Sequence, residues 1–468
     1  MENSCATGPD APVRARVGLL ILAVVATVAL VAIGARHSSM SVLYLAMAAA
    51  AAGVLAHLES RRPLLDVRVV VAAIAVVFLV AVVAPPRTSN DLWSYTSYGR
   101  MLGLRGVSPY THVPADFRGD PFLHRVSVIW RHRSSVFGPL WNGWSTLGAL
   151  IAGNSVLLAR LFFQLTAAAT ASLVLLLVWR RTHSPAALIW LGLQPAVGAV
   201  AINGGHSDLV VGAAILLGVI AAAARRPVWA GVALAAAALI KVTAALALLG
   251  LGFWLWRRGR PRDAVRAVVA WSTTLLLGWA TFAGDAIHVL AGADHTVTPA
   301  SAWNGLADLV LGHDAGRAWR NPVAPNGFLD GVFVVGAVTV VTVAVVAGWA
   351  VARRSTHPGP PVGTTTAAYT LGAQYTFPWY AAWALPCFAD SGMEPLGWLV
   401  WIQATVMLAA LKLSSHPNGT PGDYLLRIPI TVVAPPALLA AFVVLALAGR
   451  PHTGRPLTGP RRRKLMAP

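Results

Sequence analysis

The sequence predicts an all-α protein, a polytopic bundle of membrane-crossing helices. Three observations carry that reading. Of 468 residues, 57% are hydrophobic and only 11% charged, against about 25% charged in a soluble globular chain. The apolar residues stand in blocks of about 20, the length of one helical crossing of the hydrocarbon core. The arginines behind the net charge of +19 sit in short clusters between those blocks, where membrane topology accounts for them. In a soluble protein the same charge would suggest nucleic acid. Here no segment is long enough for a separate soluble domain, so the expected surroundings are membrane lipids and no nucleic-acid partner follows.

Eleven blocks read as full spans: residues 17–35, 42–58, 67–85, 155–179, 185–203, 207–224, 264–283, 328–352, 365–388, 395–413 and 428–448. The first follows Arg14 and Arg16 as a signal peptide would, but no convincing cleavage site succeeds it, and it reads as an uncleaved span. A further block, 228–256, is interrupted by Lys241, so the count is about 11–13 membrane helices within a single transmembrane domain, 1–468.

Loops rich in Lys and Arg stay in the cytoplasm. The clusters Arg61/Arg62, Arg180/Arg181, Arg225/Arg226, Arg257/Arg258/Arg260/Arg262 and Arg353/Arg354 then fix a map with two long external loops, 86–154 and 284–327. Block 228–256 begins and ends beside cytoplasmic arginines, which predicts two half-helices with Lys241 near the tip. Broken helices in a membrane line cavities, because the freed backbone groups need partners. The basic C-terminal tail should lie inside, whereas three full spans from residue 365 onward would leave it outside; a break at "FPWYAAWALP" would restore the parity. Cys5 and Cys387 offer neither metal-ligand spacing nor a disulfide framework. No internal repeat is visible, which argues against a transporter built from inverted halves.

The first external loop is rich in aromatic residues, including Trp93, Tyr95, Tyr98, Tyr110, Trp130, Trp141 and Trp144, a composition suited to the headgroup level. Residues 139–151 and 301–311 read as short helices along the outer interface. Asp91 follows a span end closely, so it stands where a lipid-linked headgroup would lie, and a carboxylate there can act as general base towards a hydroxyl. Equally, Ser89, Asn90 or Asp91 can start a helix as an N-cap. Asp116, Asp120, His124, Arg125, Arg131, His132 and Arg133 follow. Their basic members suit a phosphate or outer-leaflet anionic lipid. "INGGHSD" puts Asn203, His206 and Asp208 at the outer end of a helix pair, as functional groups or as a further cap. Lys241 in an apolar setting needs a carboxylate, carbonyls or a phosphate, unless it snorkels. Trp379, Tyr380 and Trp383 suit sugar rings, prenyl chains or an ordinary interfacial belt.

In order along the chain, "NDLWSYTSYGR", "SPY", "GDPF", "VFGPLW", "NGGHSDLVVG", "IKVTAAL" and "PWYAAWALP" resemble the actinobacterial polyprenol-phosphate-mannose-dependent α-1,6-mannosyltransferases, membrane glycosyltransferases of the GT-C class. The resemblance covers roughly residues 85–390. It implies a GT-C fold, a polyprenyl-phosphate mannose donor at the outer leaflet, a lipid-anchored mannan acceptor and an extracytoplasmic active site in a multi-pass membrane protein. It implies inverting displacement with Asp91 as catalytic base. Substrate-binding positions fall on the matching motifs: Asn90, Tyr95 and Arg100 on the first, Tyr110 on the second, Asp120 on the third, then His206, Asp208, Lys241, Trp379 and Tyr380. Arg100 or Lys241 would stabilise the leaving phosphate. The usual acidic pair is here Asn90-Asp91, so a second carboxylate would come from Asp208 or Asp120, and dependence on a divalent cation is left open. No metal ligand and no cofactor is assigned.

No nucleotide-binding fingerprint occurs, in keeping with a lipid-linked donor. Three other readings compete: another GT-C transferase with a different sugar or linkage, a lipid-linked sugar flippase or transporter, and a non-catalytic scaffold. A transporter would spread ionisable residues through several spans, whereas here they gather in the external loops.

Overall fold

The computed structural model describes residues 11–34, 38–282, 285, 297–311, 327–414 and 425–449. Cys5, most of the second external loop and the basic tail lie outside them. All regular secondary structure among the described residues is helical.

The chain enters through α1 (Ala11–Ile33), α2 (Ser38–Arg61) and α3 (Val67–Val83). The first external loop carries α4 (Asp91–Arg105) and α5 (Pro139–Ala152). Then come α6 (Val156–Thr182), α7 (Pro185–Gly192), α8 (Asp208–Ala223), α9 (Pro227–Ala238), α10 (Leu246–Arg257) and α11 (Pro261–Trp279). Beyond the second loop, with α12 (Asn304–Leu311), follow α13 (Gly327–Arg354), α14 (Gly359–Gly372), α15 (Leu385–Ser391), α16 (Pro395–Ser414) and α17 (Ala434–Ala448). Among the described residues seven helices are long and apolar enough to cross a bilayer, and four shorter apolar helices accompany them. Large aliphatic side chains face outward, such as Leu79 on α3 and Leu276 and Leu277 on α11. That surface suits lipid and would be costly in water. The protein is an all-α polytopic membrane bundle, consistent with the GT-C class.

Contacts identify two ends of the bundle. At one end Arg181 pairs with Asp390, Arg258 donates to Ser355 O, and Arg354 donates to the carbonyls of Ala446 and Leu447. At the other, Lys412 donates to Gly34 O, Arg87 N–H to Asn203 Oδ1, and Thr298 N–H to Gln374 O.

The block around Lys241 is a hairpin of half-helices. A Cβ at Gly231 would meet Ala267 O, and one at Gly278 would meet the Leu239 side chain. The beginnings and ends of α9 and α11 therefore match and the two run parallel in direct contact, while α10 returns against α13 and α14. At the tip, Gly138 N–H donates to Ile240 O at 2.9 Å and Leu140 N–H to Leu239 O at 3.1 Å. Backbone from the external loop thus satisfies carbonyls that the break in the helix exposes.

Two apolar blocks that read as single spans are also broken. Block 185–203 is α7, an interruption at Gln194-Pro195, and a π-helical turn from Val197 to Ile202. Gln194 bridges the gap: its Nε2 donates to Trp401 O at 3.2 Å and its Oε1 accepts from Ala196 N–H. Block 365–388 splits at residues 373–377 into α14 and a 3-10 turn (Pro378–Trp383) leading to α15. α14 starts near Ser355 and ends beside Thr298, and α15 comes back to Asp390 at the arginine-rich end. With that extra return, and after α16 and α17, the described residues end at Gly449 beside Arg354, at the arginine-rich end.

The loop helix α5 buries Trp141, Asn142, Ser145 and Ala149 and exposes Leu140, Trp144, Leu147, Leu150 and Ile151, an amphipathic face of the kind that rests in a membrane interface. It packs tightly on α4, where a Cβ at Gly99 would lie 2.1 Å from Ser145 O.

Candidate active site

A cavity of about 1290 Å³ opens between the first external loop, the Lys241 hairpin and the loop after α14. Its polar part holds Asn90, Asp91, Arg125, Lys241 and Gln374. Its apolar part runs between Val242, Leu246 and Leu249 on one side and Phe333, Val340 and Val341 of α13 on the other.

Asp91 is the first residue of α4. The cap position belongs to Asn90, whose side chain makes no capping hydrogen bond, so Asp91 is not spent as a cap. Its backbone N–H donates to Ser89 Oγ at 3.2 Å, and its carboxylate is 28% exposed. Burial pushes its pKa up to about 6; Lys241 pulls it down and Asp208 pushes it up further. A carboxyl with that value holds its charge at neutral pH and is more basic than an ordinary aspartate.

Behind Asp91 sits His206, fully buried, with Nδ1 3.5 Å from Asp91 Oδ2. Neither ring nitrogen has a hydrogen-bond partner among the described residues. Burial first, and then Lys241, hold its pKa well below the ordinary value, so the imidazole is neutral and the contact is no ion pair. A glycine turn shapes the place: Gly205 has φ +63°, and a Cβ at Gly204 would lie 2.6 Å from His206 Nε2. His206 stacks on Trp379 at 3.9 Å between centroids, and Trp379 stacks in turn on Phe377 at 4.6 Å. Both faces of Trp379 are therefore covered, and it meets the cavity by its edge.

Asn203 fixes the approach to Asp91. Its Nδ2 donates to the carbonyls of Ala81, Ala84 and Pro85 at 3.1–3.2 Å, and its Oδ1 accepts from Arg87 N–H at 3.1 Å. Asp208, at the start of α8 and buried, accepts Lys241 Nζ on both oxygens and Trp383 Nε1–H at 2.8 Å. Lys241 also lies 4.4 Å from the centre of the Tyr380 ring. The carboxylate is the partner that a buried lysine requires.

The structure thus brings Asn90, Asp91, Lys241, Trp379 and Tyr380 to the cavity wall, with His206 and Asp208 directly behind them. Tyr95 lies inside the loop core, edge-on to Phe137, Trp141 and Phe163. The structure does not bring Arg100, Tyr110 and Asp120 to the cavity. Arg100 donates to Asp120 Oδ2 at 2.8 Å and to Gly153 O. Asp120 also takes Arg105 at 2.6 Å. Tyr110 O–H donates to Phe137 O at 2.9 Å. These three hold the loop together, a role their polar side chains disguise in the sequence. Cavity residues that the motifs did not single out include Arg87, Gln374, Phe377 and Lys412; Lys412 stands in an apolar block, and that isolated charge was the available signal. Among the described residues no three His, Cys, Asp or Glu side chains converge as metal ligands would.

Comparison with known proteins gives the site a family. The model described as "Alpha-(1->6)-mannopyranosyltransferase, N-terminal domain" matches residues 11–258, just over half of the chain. A glycosyltransferase family 87 model matches residues 144–373. An Alpha-(1->6)-mannopyranosyltransferase A of Corynebacterium glutamicum is 32% identical over 171 residues, covering 35% of this chain and 34% of that protein. The protein of the same name from Mycobacterium tuberculosis is 30% identical over 215 residues, covering 42% of this chain and 40% of its own. The alignments thus span between a third and two fifths of those relatives' length. No solved structure matches. The residues that carry Asp91, His206, Asp208 and Lys241 all fall inside the matched N-terminal region, and on that match the chain belongs to the alpha-(1->6)-mannopyranosyltransferase family.

Proposed function

We propose that this protein transfers mannose from a polyprenyl-phosphate donor to a lipid-anchored α-1,6-mannan at the extracytoplasmic face of the membrane, with inversion at the anomeric carbon. The observation that carries the proposal is the cavity itself: a basic carboxylate at its polar end, continuous with an apolar wall between α10 and α13. A lipid-linked sugar needs both. Its chain wants aliphatic surface within the bilayer, and its sugar must meet a base at the headgroup level. By the positive-inside rule the arginine-rich end is cytoplasmic, which puts the cavity outside, where nucleotide sugars are absent.

In the proposed reaction Asp91 takes the proton of the acceptor 6-hydroxyl as that oxygen bonds to the mannose anomeric carbon. The bond from that carbon to the phosphate oxygen breaks through an oxocarbenium-like transition state, and polyprenyl phosphate leaves with the electron pair. His206 packs under the Asp91 carboxyl, and the Asp208–Lys241 pair walls the pocket without adding net charge.

The test is a donor panel. Purified protein is given polyprenyl-phosphate mannose or other polyprenyl-phosphate hexoses with a short α-1,6-mannoside, and the product linkage is read by NMR. Mannose transfer to a 6-hydroxyl is expected. A second reading, another lipid-linked sugar or linkage, is favoured by the glycosyltransferase family 87 match over residues 144–373. Transfer of a different hexose in the same panel would select it.

A further inference from the structure

We infer that Arg125 forms a binding site for the phosphate of a polyprenyl phosphate; the inference rests on the proposed function and names a contact within that same site. Five lysines and arginines line the cavity: Arg87, Arg125, Arg131, Lys241 and Lys412. Four already have polar partners. Arg87 donates to Ala32 O and Lys412 to Gly34 O. Arg131 donates to Val126 O and His124 O, each at 2.9 Å. Lys241 is held by Asp208.

The Arg125 guanidinium makes no hydrogen bond or ion pair among the described residues, and its Nε is buried without a hydrogen-bond partner. A buried Nε without an acceptor is costly, and a phosphate oxygen is the acceptor the guanidinium fork fits best. Its place is preformed. The guanidinium lies 5.3 Å from the centre of the Trp93 ring, in the first turn of the helix that Asp91 begins. Arg131 ties off the loop on either side of it through those two carbonyls. Val128, 65% exposed, extends the same loop as apolar surface, so the site stands at the level of a lipid headgroup.

The experiment measures binding of a polyprenyl monophosphate, and of the polyprenyl alcohol of equal chain length, to full-length protein in nanodiscs. Wild type is compared with Arg125→Ala and Arg125→Gln, the latter keeping a planar group over Trp93. Thermal unfolding of each variant reports folding, and inorganic phosphate is tried as competitor. Expected are a loss of monophosphate affinity of about tenfold to a hundredfold in both variants, a raised KM for the donor, and unchanged binding of the alcohol. Wild-type affinity for the monophosphate in folded Arg125→Ala or Arg125→Gln would overturn the assignment. So would inorganic phosphate saturating the site with no advantage for the lipid form. A wild type that binds the lipid monophosphate yet transfers no sugar would count against the proposed reaction and leave the phosphate site standing.

Discussion

Asp208 accepts the Lys241 ammonium on both carboxylate oxygens, at 2.9 and 3.0 Å, although the two residues lie 33 positions apart. The pair locks the tip of the half-helix hairpin to the start of α8. Removing one partner leaves a buried charge unpaired, which costs about 3–5 kcal/mol. Asp208→Asn and Lys241→Met should each lower the unfolding midpoint strongly. The double variant should recover part of the loss, as a thermal double-mutant cycle in detergent would read.

Asp91 predicts a pH dependence of opposite sign for activity and stability. Its folded pKa of about 6 lies above the ordinary 3.8, so the folded state holds the proton more tightly than the unfolded one. The contribution of this group to stability is therefore greatest below about pH 4 and is lost as pH rises through about 6. Turnover should rise over that upper range, because only the carboxylate is a base. Asp91→Asn carries no such charge and should be at least as heat-stable as wild type at pH 7.5, measured by unfolding in matched detergent.

Asn203 should matter without touching substrate. Its side chain bonds four backbone groups between Ala81 and Arg87. Asn203→Ala leaves Pro85 O and the Arg87 N–H without this partner, whereas Ala81 O and Ala84 O keep the Gln164 amide, so the cost is about 1–3 kcal/mol in all. The expected result is a clear drop in the unfolding midpoint, together with a lower kcat as the segment before Asp91 loosens.

Gly138 seals the external loop to the hairpin tip. A Cβ there would lie 2.1 Å from Leu239 O, a backbone atom that cannot swing aside. Gly138→Ala should part the loop from the tip and expose the Ile240 carbonyl region, seen as faster amide exchange from residues 138–140 and 239–241 with a fall in turnover.

The half-helix hairpin at Lys241 was legible because charge clusters flank a block too long for one span and too short for two. The second break, after α14, was legible only as "FPWYAAWALP", a proline among aromatics. The break at Gln194 was not, because its repair comes from Trp401, over 200 residues away. Asp91 stood out by its distance from a span end. Arg100 looked as suited to a phosphate as Arg125, and its contact with Asp120 separates it from Arg125, whose guanidinium has no hydrogen-bond partner among the described residues. Local sequence shows which residues carry charge; long-range pairing decides which charges remain for a ligand.

The most direct test of the central claim is mannose transfer from radiolabelled polyprenyl-phosphate mannose to a short α-1,6-mannoside, with wild type and Asp91→Asn purified side by side and shown to be equally folded. Transfer by wild type with at least a hundredfold loss in Asp91→Asn, the order expected when a general base is removed, is the predicted result. Comparable turnover in the two proteins would contradict Asp91 as the base, and with it the chemistry assigned to this cavity.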